Sequence, residues 1–304
     1  MAFADRLAHG VKASFGARII KIVTNALLLV ILTRFLFTTD QYGLLYTVIS
    51  VVGVASMFAT LGLPSSAARY VAEYSEKDAS QVPQILRVSV LFVFGFGLLT
   101  AVVLTVFNSQ IAALVDESAV APLLFVAAVY VVFESLHKYL TGIFQGLNEI
   151  ALSAVINATA QIGRFVFVIA LVVVGWGVWG ALAGYLLGFA LSVAIGGYLL
   201  YTRFYRRLST AAEIEDGLVR RIIEYSIPLT ATRGSTVIDK KIDTILVTAL
   251  AGLTPAAFYT VAKQVAEACV APASSLGYTI SPAFGEDKAG DRLERAARLY
   301  EYSL

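Results

Sequence analysis

Five ionisable residues, Arg233, Asp239, Lys240, Lys241 and Asp243, lie inside an apolar run from Ile222 to Leu250 that is long enough to cross a bilayer. On an insertion scale each charge at mid-helix costs about 2.5 to 3.5 kcal/mol, whereas each Leu, Ile or Val returns only about 0.3 to 0.6 kcal/mol. Such a helix is not stable alone in lipid. Wound at roughly 100° per residue, Thr232, Arg233, Thr236, Asp239, Lys240 and Asp243 fall in a stripe about 120° wide, and only Lys241 lies off it. The spacing predicts that this stripe faces a protein interior or a water-filled cavity, where intramembrane charges line solute paths, relay protons or pair with one another. Two readings stay open at this point: one wall of a transport path, or paired charges that only lock helices together.

The helices that must position this stripe carry polar faces of their own. The next predicted helix, about Pro255 to Pro282, aligns Thr260, Lys263, Gln264, Glu267 and Ser274. Earlier in the chain, the helix from about Pro122 to Gln145 aligns Tyr130, Glu134, His137, Thr141 and Gln145, and Glu134 can pair with Lys138 at i, i+4. The helix from about Ile150 to Val174 aligns Ser153, Asn157, Gln161 and Arg164, so Arg164 is a second candidate partner for Glu134. The first helix, about Ser14 to Phe37, sets Ser14, Arg18 and Asn25 on one face, with Arg18 near enough to its start to snorkel and Asn25 too deep. In the second, about Tyr42 to Leu63, Tyr46, Ser50, Gly53, Met57 and Thr60 share a face, which serves either close helix packing or a cavity lining. The helices from about Ile85 to Phe107 and from about Val178 to Tyr201 carry no such face. Residues Pro64 to Gln84 read as a short polar loop.

Composition sets the class. The chain of 304 residues is 58% hydrophobic and 14% charged, with a mean hydropathy of +0.78, outside the range of soluble domains. The expectation is an all-α polytopic membrane protein with eight transmembrane helices. A net charge of +2 gives no reason to expect a nucleic-acid partner. One cysteine, Cys269, precludes an internal disulfide, and with two histidines it offers no metal-ligand set, so neither metal nor other cofactor is expected. The first apolar run continues well past the core of a signal peptide and lacks a small-residue cleavage site, which argues against a cleaved leader. Residues 1 to 13 mix Arg6, His9 and Lys12 with Phe3, Leu7 and Val11, as an interfacial helix does.

Lysines and arginines gather at the N-terminus and after helices two, four, six and eight, while the intervening loops carry none. The positive-inside rule therefore places both termini in the cytoplasm of a multi-pass protein of the cell membrane. The most basic segment, Thr202 to Arg221, holds Arg203, Arg206, Arg207, Arg220 and Arg221 and divides the chain. The expected organisation is a six-helix lobe at 1–205, a basic cytoplasmic linker at 206–221, and an incomplete second lobe at 222–304. The short turn between helices seven and eight predicts a register that sets Asp243 level with Lys263, and Asp239 and Lys240 level with Glu267.

An internal repeat supports the two lobes: Gly43-Leu-Leu-Tyr-Thr-Val48 recurs as Ala256-Ala-Phe-Tyr-Thr-Val261, which sets Asn25 against Asp239 one helix earlier. A parallel repeat after six helices is one of the known transporter plans. The segment Leu32-Thr-Arg-Phe-Leu-Phe-Thr-Thr-Asp-Gln-Tyr-Gly43 is similar to the "aRlLgpeeyG" element of the polysaccharide biosynthesis flippases. These form a branch of the multidrug/oligosaccharidyl-lipid/polysaccharide exporter superfamily, which is MATE-like. Gly62-Leu-Pro-Ser-Ser-Ala-Ala-Arg-Tyr70 resembles the element that follows the second helix in that family. Asp243 with Tyr259, Gly142-Ile-Phe-Gln-Gly146 and Gly175-Trp-Gly-Val-Trp-Gly180 fit as well.

The resemblance implies a V-shaped cavity between two six-helix lobes, lined mainly by helices one, two, seven and eight. It implies alternating access that carries a lipid-linked oligosaccharide from the cytoplasmic to the outer leaflet, with membrane lipids as surroundings. A cationic cavity holding the lipid phosphate makes Arg18, Arg233, Lys240 and Lys263, with Asn25, the candidate substrate contacts. Asp239, Asp243 and Glu267, with Glu134 and Arg164, then tune these cations or bind a coupling H+ or Na+. Arg34 and Arg69 match family motifs near the membrane edge, where a structural role is expected. Members have twelve to fourteen helices, so a chain of eight is expected to be a fragment or a truncated frame. A cation-coupled drug or metabolite antiporter and a non-transporting fragment remain alternatives. A membrane glycosyltransferase or polymerase is disfavoured, because loops of about 20 residues hold no catalytic domain and no phosphate-cradling glycine loop is present.

Overall fold

The computed structural model describes residues 3–206, 208 and 215–269, with side chains from residue 12 onward except those of Arg233, Thr236 and Lys240. The described residues are helical with short connections and contain no strand. The helices are α1 (Phe3–Ile31), α2 (Thr39–Thr60), α3 (Leu63–Lys77), α4 (Val82–Val106), α5 (Asn108–Leu114), α6 (Val120–Gly146), α7 (Ile150–Leu171), α8 (Gly177–Leu200) and α9 (Leu218–Ala251). Contacts divide the chain into a unit of residues 1–258 and a second of 259–304. In the second, residues 259–269 are helical and the Lys263 ammonium lies 5.8 Å from the centre of the Tyr259 ring. The rest of the expected eighth helix lies outside the described residues.

Among the described residues, five stretches are long and apolar enough to cross a membrane: Lys12–Leu36, Thr39–Thr60, Ala79–Val106, Val120–Gly146 and Ile150–Tyr205. The last holds both α7 and α8. Gly175 and Gly177 take φ of +101° and +53°, a left-handed region that costs an L side chain about 1–2 kcal/mol per residue, and the chain reverses there. Beyond the turn, Gly184 packs on Val168 and Gly188 on Arg164, so the arms run antiparallel in close contact. Large apolar side chains such as Leu91, Leu98, Leu99 and Val102 remain exposed on α4. On a helix of membrane length these are lipid-facing, since a soluble protein does not expose so continuous an apolar surface.

The residues between α2 and α4 are not the polar loop that composition suggested. Thr38 and Gln41 form a capping box at the start of α2: Thr38 Oγ1 accepts from the Gln41 amide at 3.3 Å, and Gln41 Oε1 from the Thr38 amide at 3.1 Å. After α2, Leu61 and Gly62 turn the chain in the left-handed region, and Pro64 in the first turn starts α3. Leu63, Ala67, Tyr70, Val71 and Tyr74 recur at helical spacing and are buried with Ile85, Tyr139 and Ile143 in the core shared by α3, α4 and α6. The polar residues Glu73, Glu76 and Lys77 sit on the outer face of the same helix.

The charged helix α9 lies antiparallel along α2. Residues from opposite ends meet in order: Gly43 with Leu253, Thr47 Oγ1 with Thr248 Oγ1 at 2.7 Å, Gly53 with Lys241, Met57 with Gly234, and Gly62 with Ser226. Small residues at each crossing let the two backbones approach, as they do between membrane helices.

Candidate functional site

On α9, Thr232 and Asp239 are exposed and Asp243 is half-buried, its Oδ1 accepting the Thr244 amide at 2.6 Å. The side chains of Arg233, Thr236 and Lys240 lie outside the described residues. Lys241, the residue off the stripe, lays its methylene stem against Gly53 of α2. It therefore belongs to the α2–α9 contact.

A cavity of about 400 Å³ opens between α2, the start of α3, α6, α7 and α9. Its polar lining includes His137, Lys138, Thr141, Gln145, Asn157 and Thr230, and no carboxylate is among the described lining residues. From α9 it takes Thr230, Gly234 and Val237, which sit roughly 130° round the helix from the charged stripe. From α2 it takes Ser56, Met57 and Thr60, so the α2 face serves both possible purposes: Gly53 packs, and the residues beyond it line the cavity.

The polar faces of α6 and α7 converge on this space. Lys138 Nζ stands 2.9 Å from Glu134 Oε1 and donates to Ser56 Oγ at 2.9 Å. Glu134 thus pairs along its own helix. Its other oxygen, Oε2, is buried without a hydrogen-bond partner among the described residues. His137 Nδ1 and Ser192 Oγ lie 2.8 Å apart, and Ser192 donates to the Ile156 carbonyl at 2.9 Å. The Asn157 amide donates to the Ser153 carbonyl at 2.8 Å.

Arg164 does not reach Glu134. Its Nη2 donates to Asn25 Oδ1, joining α7 to α1, and its guanidinium lies 4.9 Å from the centre of the Tyr185 ring on α8. Asn25 and Arg164 are thus brought together, and Glu134 is brought to Lys138. Arg18 is half-buried on α1 and Glu267 is exposed. Sequence reasoning named Lys138 only as a partner for Glu134, and its place in the cavity wall went unread. The signal was its adjacency to His137, on the edge of a polar stripe.

At one end of the bundle a second polar cluster ties α3 to α9. Glu215 accepts from the Tyr74 hydroxyl at 2.7 Å and from Arg221 at 2.6 Å, with Lys77 at 4.0 Å, and its amide donates to Gln81 Oε1 at 3.1 Å. The Tyr74 hydrogen bond, then that of Arg221, holds the Glu215 carboxyl below the usual carboxylate range. Ser66 adds a bond to the Ile222 carbonyl at 2.6 Å, and the Arg69 guanidinium lies 4.2 Å from the centre of the Tyr225 ring. The start of α9 is therefore held by one face of α3, on which Ser66, Arg69 and Tyr74 lie.

These features have counterparts in known proteins. The model of a family described as polysaccharide biosynthesis protein matches residues 7–286. An uncharacterized membrane protein of Methanocaldococcus jannaschii is 24% identical over 276 residues, covering 86% of this chain and 64% of that protein. The chain thus spans less than two thirds of that relative's length. Among solved structures, an inward-facing multidrug resistance MATE family transporter of the MOP superfamily superimposes with a TM-score of 0.67 at 15% identity, over 93% of this chain and 69% of its own. A MOP superfamily transporter from Pyrococcus furiosus, for which a binding pocket of reverse polarity suggests a different function, matches with a TM-score of 0.57 at 14% identity, over 98% and 66%. At such identities the structural likeness establishes the fold. The chain belongs to the polysaccharide biosynthesis protein family and has the fold of MOP-superfamily membrane transporters.

Proposed function

We propose that this chain forms the N-terminal lobe, 1–205, the basic linker, 206–221, and the opening helices of the second lobe, 222–304, of a plasma-membrane flippase. The substrate is a polyprenyl-(pyro)phosphate-linked oligosaccharide, moved from the cytoplasmic to the outer leaflet by alternating access. The observation that carries this reading is the lining of the cavity between α2, α6, α7 and α9. It offers an imidazole, amides, hydroxyls and the Lys138 ammonium, which is paired with Glu134 along α6, and no carboxylate among the described lining residues. Neutral donors and acceptors suit sugar hydroxyls, and a cation suits a phosphate through charge-assisted hydrogen bonds. An organic cation would ask for the opposite sign.

On this reading Arg18, Asn25, Arg233, Lys240 and Lys263, none of them among the described residues that line this cavity, are the further candidates for meeting the phosphate or the first sugars. Asp239, Asp243 and Glu267 tune those cations or bind a coupling H+ or Na+, and Glu134 and Arg164 brace the N-terminal helices. The polarity of the binding pocket is singled out for the Pyrococcus furiosus transporter, which makes the sign of the preferred ligand the decisive measurement.

The test titrates the purified protein in nanodiscs with a polyprenyl-pyrophosphate-linked sugar and, separately, with an organic cation. The lipid-linked sugar is expected to bind, and Lys138→Gln and Arg233→Ala are each expected to weaken it at least tenfold while the helical content is unchanged. Tighter binding of the cation, released by protons, would replace the flippase with an antiporter.

A further inference from the structure

A second cleft, of about 410 Å³, lies on the other side of the N-terminal helices, between α4, α6 and α8. Its size is within the range of small-molecule sites, roughly 300 to 1,000 Å³. Leu86, Val90, Leu136, Leu140 and Val193 make its walls, so its surface is almost wholly apolar. Gly197 borders it with nothing within 4 Å of the place a Cβ would take, so the missing side chain leaves the cleft open.

One end of the cleft differs. Arg87 is exposed there and makes no hydrogen bond or ion pair among the described residues. Tyr201 and Tyr205 close the same end, stacked with ring centres 6.0 Å apart, and the exposed Arg203 and Arg206 belong to the same stretch of chain. Arg87 lies five residues into α4, about 7.5 Å along its axis. Tyrosines and snorkelling arginines at the end of a membrane-length helix mark the headgroup level. The apolar part of the cleft is then at acyl-chain depth, on a surface that faces lipid.

We propose that this cleft is a binding site for one anionic phospholipid, with an acyl chain laid along Leu136, Val193 and Gly197 and the phosphate held by Arg87. Three observations carry the choice of occupant. The walls are apolar over the length that chains occupy. The one charge among the cleft's described lining residues, Arg87, is a cation with no hydrogen-bond or ion-pair partner among the described residues. The flanking residues at that end, Arg203 and Arg206, are basic, which draws anionic lipid to the surface there. A zwitterionic headgroup satisfies only the first of these. The site is separate from the polar cavity, and the proposal does not rest on the flippase reading.

The experiment embeds the protein in nanodiscs of equal phosphatidylglycerol and phosphatidylcholine and counts retained lipids by native mass spectrometry. One phosphatidylglycerol is expected to persist at least fivefold over phosphatidylcholine. Arg87→Gln is expected to erase that preference and Arg87→Lys to restore most of it. Gly197→Leu, which fills the open space, is expected to remove the retained lipid of either kind. Thermal unfolding of each variant identifies any that fail to fold, and the Arg87→Lys rescue keeps the test decisive. Equal retention of the two lipids by the wild type overturns the proposal, as does a preference that survives both Arg87→Gln and Gly197→Leu. Displacement of the phosphatidylglycerol by equimolar polyprenyl phosphate also overturns it, assigning the cleft to the carrier lipid instead.

Discussion

Replacing Lys138 by Met tests how the cavity wall is held. The ammonium sits 2.9 Å from Glu134 Oε1 and 2.9 Å from Ser56 Oγ, with the lysine side chain 41% exposed and the glutamate 14%. At an effective dielectric of about 20, charges at that separation attract by about 6 kcal/mol before desolvation is subtracted. Exposed pairs retain about 0.2 to 1 kcal/mol of this, whereas breaking a buried pair costs about 3 to 5 kcal/mol. The Glu134–Lys138 pair lies between these limits, and its halves are unequal. Without Lys138, the glutamate is left with Oε2 already lacking a partner and Oε1 newly so. Without the Glu134 charge, the lysine keeps Ser56 and the open cavity. Lys138→Met is therefore expected to cost about 2 kcal/mol, Glu134→Gln about 1 kcal/mol, and the double variant about 1 kcal/mol, a coupling near 2 kcal/mol. Denaturant titration in mixed micelles, followed by far-UV circular dichroism, measures all three. A coupling below about 0.3 kcal/mol, or a larger loss from Glu134→Gln than from Lys138→Met, refutes the asymmetry and the account of the wall built on it.

Two further predictions concern packing and pH. A Cβ at Gly188 would lie 2.6 Å from the Arg164 amide nitrogen, a backbone atom that cannot swing aside, whereas one at Gly95 meets nothing within 4 Å. Gly188→Ala is accordingly expected to lose at least 2 kcal/mol and to fall in expression, and Gly95→Ala to unfold at or slightly above the wild-type temperature; equal effects would remove the α7–α8 crossing as the cause. For Glu215, a depressed folded pKa means that its contribution is complete above the usual carboxylate range and is lost as pH falls through the lowered folded value. Wild type is therefore expected to be more heat-stable than Glu215→Gln at pH 7, with the gap closing as the pH is taken below 4.5, the usual value, toward the lowered one; a gap independent of pH would show that the carboxylate charge is not what ties α3 to α9.

Much of the architecture was legible in the chain because lipid imposes a simple rule. Runs of about 20 apolar residues form helices, since no water is present to satisfy an unpaired backbone. The bounds read for α4, α6, α7 and α8 accordingly fall within three residues of those observed. Segment 64–84 escaped because its helix is amphipathic: its charges dominated the composition while Leu63, Ala67, Tyr70, Val71 and Tyr74 marked a buried face. The family resemblance was legible too, through short glycine-bearing motifs that the structure places at a reversal or a close contact, as at Gly62, Gly146 and Gly177.

Helical periodicity states which residues share a face, and that much the amino-acid order determined for Glu134, His137, Asn157 and Arg164. It does not state which helix stands opposite, because partners far apart in sequence are selected by packing of whole helices. Only the tertiary structure decided that Glu134 pairs within α6 while Arg164 reaches Asn25, that Lys241 lies on Gly53, and that α9 walls the described cavity with Thr230, Gly234 and Val237. Each outcome turns on a rotation of one helix against its neighbour, and small residues at the crossings set that rotation.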